Sequence, residues 1–284
     1  MKITDLTFTE LDIPQPVTRA VSLVPSVTET LFALGKGGAL VGRTAFCIQP
    51  AGEVEGIETV GGTKSPNLDR IIELQPQLVL ANKEENRRQD IDTLRAAGIA
   101  VHVAQPTTVE EGLAYVTTCG RIFECEPEAE RITRAGVKEL VRIREHVSEQ
   151  IALRRLRRKR PPESAERPRV ICFVWNNPWM AVGSDTYIGD MISTLGGDNV
   201  YNLAADRYFA VDPVEVAAHN PDILLFPDEP CAFTDHDLKF WRDNFADMPA
   251  VKNNRLRPCG GQDLCWFGAR IPQALKRLQP ILSR

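Results

Sequence analysis

Long hydrophobic runs are absent from this sequence of 284 residues. Its apolar stretches, such as residues 223–226, are far shorter than the roughly 20 residues that a membrane-spanning helix needs. Near Met1 there is neither the basic and apolar pattern of a signal peptide nor a lipidation motif. The sequence as it stands therefore predicts a cytoplasmic protein that is not embedded in a membrane, or a periplasmic or cell-surface protein if an export signal was removed from a longer chain.

Net charge is also small. The formal charge is -4, so the chain has no overall attraction for nucleic acid or for an anionic membrane. One strongly basic run, LRRLRRKR at residues 153–160, is interpreted as the solvated end of a helix, where cations complement the helix dipole. Hydrophobic residues make up 43% of the chain and charged residues 25%, which is the balance of a globular protein, and the length fits two domains.

Cysteine and histidine are scarce. The seven cysteines are an odd number, spread from Cys47 to Cys265, and this sparse distribution favours a reducing compartment over a disulfide framework. A receptor for a bare zinc or manganese ion needs about three histidines at one site, whereas the histidines of this chain are predicted to lie on separate segments. These histidines are His102, His146, His219 and His236.

Two short groupings leave other ligand chemistry open. Cys231, His236 and Asp237 in PCAFTDHD are close enough in sequence to be axial or metal ligands, although a solvated loop histidine is the simpler interpretation. Cys259 and Cys265 could form a redox or metal pair, but their spacing matches no common signature. The sequence therefore predicts no metal site, and the role of these two cysteines stays undetermined.

Motifs of the common enzyme classes are missing. The chain contains no G-x-S-x-G, phosphate-binding loop or zinc-protease motif, and the glycines of GGDN and CGGQD make no dinucleotide fingerprint. We therefore predict a protein that is not an enzyme. The alternative that stays open is a cytoplasmic tetrapyrrole-handling or metal-handling protein, or a chelatase-like enzyme, that does not dock to a transporter.

What the sequence does contain is an alternation of apolar runs and helical patterns. Predicted strands at residues 20–24, 39–43, 78–81 and 99–103 are separated by predicted helices, which is typical of a parallel sheet covered on both faces. In the first helix, Ser26 and Glu29 have the spacing of a capping box and Gly35 provides a stop.

A single long helix is predicted to follow this first region. It begins at Pro127, carries an acidic first turn and ends near Lys159 in the basic run. The segment PPESAERP after it is interpreted as a linker, and RVICFV then restarts the alternation. The predicted organisation is an N-terminal α/β lobe at residues 1–126, a connecting helix at 127–160, and a linker with a C-terminal α/β lobe at 161–284.

The two halves share a weak internal repeat. NLDRIIELQPQLVLA and PVEVAAHNPDILLF each contain an acidic residue, a helical turn, Asn or Gln with Pro, and an apolar strand. Such a repeat predicts two lobes of similar construction.

Several segments, in order, resemble one family. They are RAVSLVPSVTETLFALG with LVGRTAF after it, VGGTKSPNLDRIIELQPQLVLA, GSDTYIGDMISTLGGDNVYN and CWFGARIPQAL. The chain resembles the cobalamin and iron-chelate substrate-binding proteins of ABC transporters, the helical-backbone metal receptors. The resemblance implies two lobes, each with a parallel sheet flanked by helices, joined by one long rigid helix in a class III periplasmic-binding-protein-like fold.

The resemblance also implies a function. It predicts a solute-binding protein that holds a corrinoid, haem or ferric-siderophore type of metal chelate in an inter-lobe cleft, without an intrinsic cofactor, and that delivers it to an ABC transporter permease. Ligand-binding positions carried over from the family are Phe46, Thr63, Lys64, Trp175, Trp179, Tyr208, Phe209, Trp266 and Arg270.

Two acidic residues are candidates for docking to a permease. Asp69 fills the family position in the first lobe, and Glu215 is its nearest match in the second. Glu215 lies six residues before Pro221 whereas Asp69 lies seven before Pro76, so the strict counterpart of Asp69 is Val214. This departure favours a relative that does not dock.

Overall fold

The computed structural model describes residues 1–5, 7–157 and 167–283. The chain divides into two compact units. Unit 1 comprises Met1–Pro106, Glu110–Ala135 and Phe267–Arg270, and unit 2 comprises Thr107–Val109, Gly136–Trp266 and Ile271–Arg284. Among the helices of the described residues, none has both the length and the apolar character of a membrane-spanning segment.

Unit 1 is built on a sheet of parallel strands. The strands are β3 (Ala20–Ser22), β4 (Leu40–Arg43), β5 (Leu78–Asn82) and β6 (Ala100–Ala104), in the order β4-β3-β5-β6. Its helices are α1 (Pro25–Ala33), a short 3-10 helix (Gly37–Ala39), α2 (Leu68–Glu73), α3 (Arg88–Ala96) and α4 (Val109–Ile122). The central strands are buried along their whole length, because helices cover a parallel sheet on its faces.

An N-terminal hairpin, which the sequence patterns did not predict, precedes this sheet. Strands β1 (Lys2–Thr4) and β2 (Glu10–Asp12) pair antiparallel. Asp5, whose side chain is fully buried, attaches the hairpin to the edge of the sheet, since Oδ2 accepts hydrogen bonds from Arg95 Nη2 at 2.5 Å and from the Val103 amide at 3.3 Å.

The predicted capping box of α1 is wrong, whereas the predicted stop is confirmed. Val24 is the N-cap residue and Pro25 begins the helix, so Ser26 lies inside the first turn and cannot cap it. At the other end, Gly35 has a φ of 71° and the Lys36 amide bonds to the Leu31 carbonyl, a closure that favours glycine.

A long helix runs from unit 1 into unit 2, as predicted. Helix α5 (Glu126–Arg157) contains 32 residues, and the division between the units falls within it, between Ala135 and Gly136. The predicted linker at residues 161–168 lies largely outside the described residues. The predicted domain boundaries stay predictions.

Unit 2 has a sheet with a parallel centre. Strands β9 (Asp198–Asn199), β7 (Arg169–Asn176), β11 (Ile223–Pro227) and β12 (Leu256–Cys259) run parallel, while β8 (Trp179–Val182) and β10 (Tyr208–Ala210) are antiparallel additions at one edge. Its helices are α6 (Tyr187–Thr194), α7 (Pro213–Ala218), α8 (Asp235–Asn244), α9 (Pro249–Lys252), α10 (Gly261–Cys265) and α11 (Ile271–Ser283). The two antiparallel strands arise because β7 turns directly into β8 through Asn177 and Pro178.

The cores of the two units differ in composition. Aliphatic residues such as Val21, Val79 and Val101 form the core of unit 1, whereas Phe173, Phe226 and Trp241 form the centre of that of unit 2. The ring centroids of Phe173 and Trp241 are 5.2 Å apart. Several aromatic residues of the second half therefore pack in the core of unit 2.

The attachment of the hairpin predicts a pH-dependent contribution to stability. Burial would raise the pKa of the Asp5 carboxyl, but hydrogen bonds from Thr7 and Thr9 and the charge of Arg95 hold this pKa below its usual 3.8. Because the folded pKa is depressed, the stabilisation is complete above the pKa of the unfolded chain, about 3.9, and is lost as the pH falls through the folded pKa. Asp5→Asn should lower the free energy of unfolding by about 1–3 kcal/mol at pH 7.

Denaturant unfolding at several pH values measures this effect. The difference between wild type and Asp5→Asn should shrink below about pH 4. Asp12→Asn on β2 is the matched control, because its side chain is 79% exposed and its loss should change stability by less than about 0.5 kcal/mol. A pH-independent difference for Asp5→Asn would contradict the assignment.

Candidate functional site

Three of the predicted ligand residues lie together in unit 1. Phe46 follows β4 and is 60% exposed, and Thr63 and Lys64 lie in the loop at residues 61–66. A Cβ added to Gly62 would be 3.4 Å from Cε2 of Phe46, so the ring lies against this loop. Because parallel strands end at one edge of a sheet, the loops that follow them gather there, and ligands commonly bind at that edge.

A buried thiol holds the loop that carries Phe46. The Cys47 sulfur lies 3.1 Å from the Thr44 hydroxyl, and burial raises the pKa of the Cys47 thiol, which keeps it protonated. With Cys47 fixed inside, Phe46 and Ile48 on either side of it are both exposed. Ile48 was missed by the sequence analysis because a lone apolar residue in a loop carries no periodic signal.

A pair of asparagines, also missed, lies beneath the loop that carries Thr63 and Lys64. The side-chain Nδ2 of the buried Asn86 donates to the carbonyl oxygens of Thr63 at 3.0 Å and Leu23 at 3.3 Å. Its side-chain Oδ1 accepts a hydrogen bond from the backbone amide of Asn82 at 2.8 Å. Lys64 Nζ donates to the carbonyl oxygen of Glu84, in the loop after β5. Side-chain hydrogen bonds thus join three loops of unit 1.

Trp175 lies near the end of β7 in unit 2. Its side chain is 45% exposed, and its ring N–H donates to the Asn177 carbonyl at 3.2 Å, within the turn that leads to β8. The neighbouring Asn176 side chain donates to Asp237 Oδ1 at 3.0 Å, which ties this turn to the start of α8. The structure therefore presents the partly exposed Trp175 indole on an anchored turn.

Asp237 is engaged in this anchoring. Its Oδ2 accepts from the backbone amide of Thr234 at 2.7 Å and from the Thr234 hydroxyl at 2.9 Å. Burial would raise the pKa of the Asp237 carboxyl, but the hydrogen bonds from Thr234 and Asn176 bring it below its usual value. Among the described residues, no group of three or more His, Cys, Asp and Glu side chains could hold a metal ion.

The other aromatic positions of unit 2 have packing partners. Trp179 stacks on Phe233, with ring centroids 5.9 Å apart, and contacts Trp241 edge-on at 5.1 Å. Phe209 meets Tyr201 edge-on at 5.1 Å. Packing against these rings is sufficient to explain the positions of Trp179 and Phe209. Their role in ligand binding stays a prediction.

Tyr208 lies apart from Trp175 along the strands of unit 2. It is 37% exposed and pairs with Val182, whereas Trp175 is level with Met180, nearer the turn between β7 and β8. The strand register therefore separates these two exposed aromatic residues.

Trp266 and Arg270 are held within the fold. Trp266 is only 7% exposed. Arg270 belongs to unit 1, where Nε and Nη2 donate to the two Glu29 carboxylate oxygens at 2.8 and 2.5 Å. The Ala269 amide also donates to the Thr30 hydroxyl at 3.0 Å. These contacts fasten residues 267–270 to α1, and the role of Trp266 and Arg270 in ligand binding stays a prediction.

Asp69 and Glu215 occupy different positions on two equivalent helices. Asn67 and Asp212 are the N-cap residues of α2 and α7, so Asp69 is the second helical residue of α2 and Glu215 the third of α7. The residue equivalent to Asp69 is thus Val214, which is 68% exposed. The geometry agrees with the spacing argument from the sequence.

The histidines lie on separate elements of the two units, and in the part of the chain that the structure describes neither they nor Cys259 and Cys265 belong to a group of three or more His, Cys, Asp and Glu side chains that could hold a metal ion. His102 is buried on β6 of unit 1, and His146, His219 and His236 lie on separate helices or helix ends of unit 2. Burial raises the pKa of the Cys259 thiol to about 12, and Cys265 Sγ lies 3.9 Å from the Glu229 carbonyl oxygen, to which it donates.

Comparisons with known proteins find matches over nearly the whole chain. Residues 21–262 match the family described as Periplasmic binding protein. The Vitamin B12-binding proteins of Vibrio parahaemolyticus serotype O3:K6 and Yersinia pestis strain Pestoides F are 23% and 25% identical over 266 residues, covering 93% and 91% of this chain and 88% and 89% of those proteins.

Solved structures have the same fold. The periplasmic vitamin B12 binding protein BtuF of Vibrio cholerae is 21% identical with a TM-score of 0.78, over 95% of this chain and 98% of that one. The periplasmic haem-binding protein BhuT, solved with two haems, is 25% identical with a TM-score of 0.77, over 93% and 97%. The predicted fold class is thereby confirmed.

The contact of Arg270 with Glu29 generates a test. Arg270→Lys should lower the free energy of unfolding by about 1–2 kcal/mol, because an ammonium cannot replace a two-bonded guanidinium. Arg70→Lys is the control, since the Arg70–Glu58 pair also has two hydrogen bonds but its side chains are 41% and 39% exposed, so solvent weakens this pair and its loss should cost clearly less than the loss of the Arg270 contact. Equal losses in thermal or denaturant unfolding would refute the anchoring role of Arg270.

Proposed function

The chain belongs to the periplasmic binding protein family, and we propose that it is a solute-binding protein for a metal chelate of the corrinoid, haem or ferric-siderophore type. The observation that carries this proposal is the exposure of large aromatic side chains on anchored turns, Phe46 in unit 1 and Trp175 in unit 2. A flat, largely apolar macrocycle is recognised by such rings, because each offers a large contact area and loses little conformational entropy on binding.

The named relatives support a tetrapyrrole or corrinoid as the ligand. Relatives that cover about nine-tenths of this chain are vitamin B12-binding proteins, and the solved structures include both vitamin B12-binding and haem-binding proteins. Thr63 and Lys64 beside Phe46 supply polar groups for the periphery of such a ligand. Binding by stacking and peripheral hydrogen bonds needs no metal ligand from the protein.

We propose that the chain binds this chelate without turnover and without an intrinsic cofactor. The family model that matches this chain is one of binding proteins. Asp237, which is bonded to Asn176 next to Trp175 in the sequence, is engaged in hydrogen bonds with Thr234 and Asn176. A turnover assay with porphyrin and metal would detect a chelatase-like activity if one existed.

A permease of an ABC transporter is the partner proposed from the family resemblance. Asp69 on α2 would be the docking carboxylate of unit 1. The equivalent position of unit 2 is the apolar Val214, and Glu215 is displaced by one residue, which turns its side chain by about 100° around the helix axis. A permease that contacted Asp69 in unit 1 and Glu215 in unit 2 would therefore meet the two carboxylates at different positions on their helices.

A second candidate is a cytoplasmic chelate-handling protein that does not dock to a transporter. Val214 in place of a carboxylate favours it. All seven cysteines are free thiols, and this state is typical of a reducing compartment. We propose the cytoplasm as the compartment on this ground.

Titration with candidate ligands tests the function. Cobalamin, haemin and a ferric siderophore should be added to the purified protein while absorption and tryptophan fluorescence are recorded. One of them should bind saturably with a dissociation constant of about 1 μM or tighter. Phe46→Ala and Trp175→Ala should each weaken binding about tenfold, because each removes an aromatic contact surface.

The control for Phe46→Ala is Phe8→Ala, a second phenylalanine of unit 1 that is 89% exposed but lies in the N-terminal hairpin. It should leave the affinity unchanged. An absence of binding for all three ligands would overturn the proposed ligand class, and equal effects of the two phenylalanine variants would contradict the placement of the surface.

The compartment is tested separately by fractionation and thiol labelling. In cells that express the chain from its own gene, we expect the protein in the cytosolic fraction, with all seven cysteines reactive to a maleimide after rapid quenching and unfolding. An exported protein of the same cells is the control for leakage. Recovery in the exported fraction would contradict the cytoplasmic proposal and favour import.

A further inference from the structure

We propose that Asn86 is a positioning residue for the ligand surface of unit 1, acting through Thr63 and Lys64. This inference rests on the proposed function, because it concerns the same surface. Asn86 lies four residues beyond the end of β5 and is only 4% exposed, so it is held below the surface by the loops around it. Its action on a bound chelate is consequently indirect.

Asn86 satisfies three backbone groups that belong to three separate segments: the loop at residues 61–66, the end of β5, and Leu23 directly after β3. Its amide nitrogen donates to the Thr63 carbonyl at 3.0 Å and to the Leu23 carbonyl at 3.3 Å, and its Oδ1 accepts from the Asn82 amide at 2.8 Å. These bonds use both N–H groups of the side chain and one lone pair of its oxygen. The carbonyl of Thr63 therefore has its position set relative to β3 and β5.

No other side chain of similar size provides this combination. An aspartate would direct a carboxylate at the carbonyl oxygens of Thr63 and Leu23, and a leucine would leave these carbonyls without their donor. Unsatisfied buried polar groups are costly, so either replacement should make the loop move away from its position.

The loop that carries Thr63 and Lys64 is compact and is closed by its own backbone hydrogen bonds. Gly62 and Ser65 exchange backbone hydrogen bonds of 3.2 and 3.3 Å across it. Gly61 has a φ of 97°, and a Cβ there would lie 2.6 Å from the Ser65 carbonyl oxygen. A displacement of the Thr63 carbonyl is thus transmitted to Lys64.

A second contact fixes the far end of Lys64. Asn82 Oδ1 accepts from the amides of Glu84 at 2.7 Å and Glu85 at 3.3 Å, which shapes the turn after β5. The carbonyl oxygen of Glu84 in this turn accepts a hydrogen bond from the Lys64 ammonium. Asn86 also holds this turn, because its Oδ1 accepts from the backbone amide of Asn82. The positions of the Lys64 backbone and of the Lys64 ammonium therefore both depend on Asn86.

The first experiment needs no ligand. Hydrogen–deuterium exchange should be compared between wild type and Asn86→Ala, with faster exchange expected in the peptides that contain residues 61–67 and 82–86. Asn199→Ala is the matched control in unit 2: Asn199 is 5% exposed and also bridges backbone groups, donating to Val182 and accepting from Tyr201. Unchanged exchange at residues 61–67 in Asn86→Ala would overturn the inference.

The second experiment measures the affinity for the chelate that the wild type binds. Asn86→Ala should weaken binding about tenfold, as should Lys64→Met, and the double variant should be no weaker than about the stronger single effect. A general loss of stability would instead give additive effects. Asn199→Ala combined with Lys64→Met provides the additive reference.

The outcomes separate the two proposals. If the wild type binds none of the three chelates, the proposed ligand class fails, and the exchange experiment still decides whether Asn86 fixes the loop. If the wild type binds one chelate and Asn86→Ala binds it equally well, or if the double variant is additive, the positioning role fails while the proposed function stands.

Discussion

Parallel strands impose the constraint on which the arrangement of each unit depends. Two parallel neighbours cannot be joined by a tight turn, so the chain must cross over, usually through a helix, before the next strand begins. In unit 1 this rule applies to β3, β4, β5 and β6, whose following loops consequently collect at a single edge of the sheet. The loops of Leu23, Phe46 and Asn86 are neighbours for this reason, although the residues are far apart in the sequence.

Loops gathered in this way contain backbone groups that no strand can satisfy, and short polar side chains provide their partners. Asn86 does so in unit 1. In unit 2, Asp237 accepts from Thr234 and from the Asn176 side chain, and Asp228 Oδ1 accepts from the Gly261 amide at 2.5 Å. Such buried bonds give each loop one preferred position, which is a requirement for a surface that must match a rigid macrocycle.

Local patterns were sufficient to predict much of the fold. The long helix α5 and the shared motif of α2 and α7 depend on residues close in sequence, where periodicity and capping act directly. The expected capping box at Ser26 failed because α1 begins at Pro25, which places Ser26 inside the first turn, and Glu29 instead accepts hydrogen bonds from Arg270, 241 positions away. Contacts at such separation leave no trace in a local pattern.

The candidate site was predictable to a smaller extent for the same reason. A family position identifies Phe46 and Trp175, and the structure leaves both exposed, but the burial of Trp266 and the stacking of Trp179 depend on strands and helices from distant segments. Asn86 could not be recognised, because an asparagine in a polar loop is ordinary until the carbonyls above it are known. Exposed residues at family positions are thus easier to predict than the buried residues that hold their loops in place.

The repeated helices α2 and α7 share features that local physical chemistry explains without a binding partner. Both have an N-cap side chain that accepts a backbone hydrogen bond, and both contain six residues. Each is followed, two residues after its end, by a residue of positive φ that precedes a proline and a buried strand. A carboxylate in the first turn of either helix is favoured by the helix dipole, so the presence of Asp69 and Glu215 needs no partner to explain it. The two carboxylates do not occupy matching positions, because Val214 stands in α7 where α2 has Asp69. The difference between the two helices, more than their shared acidity, therefore bears on whether this chain docks to a permease.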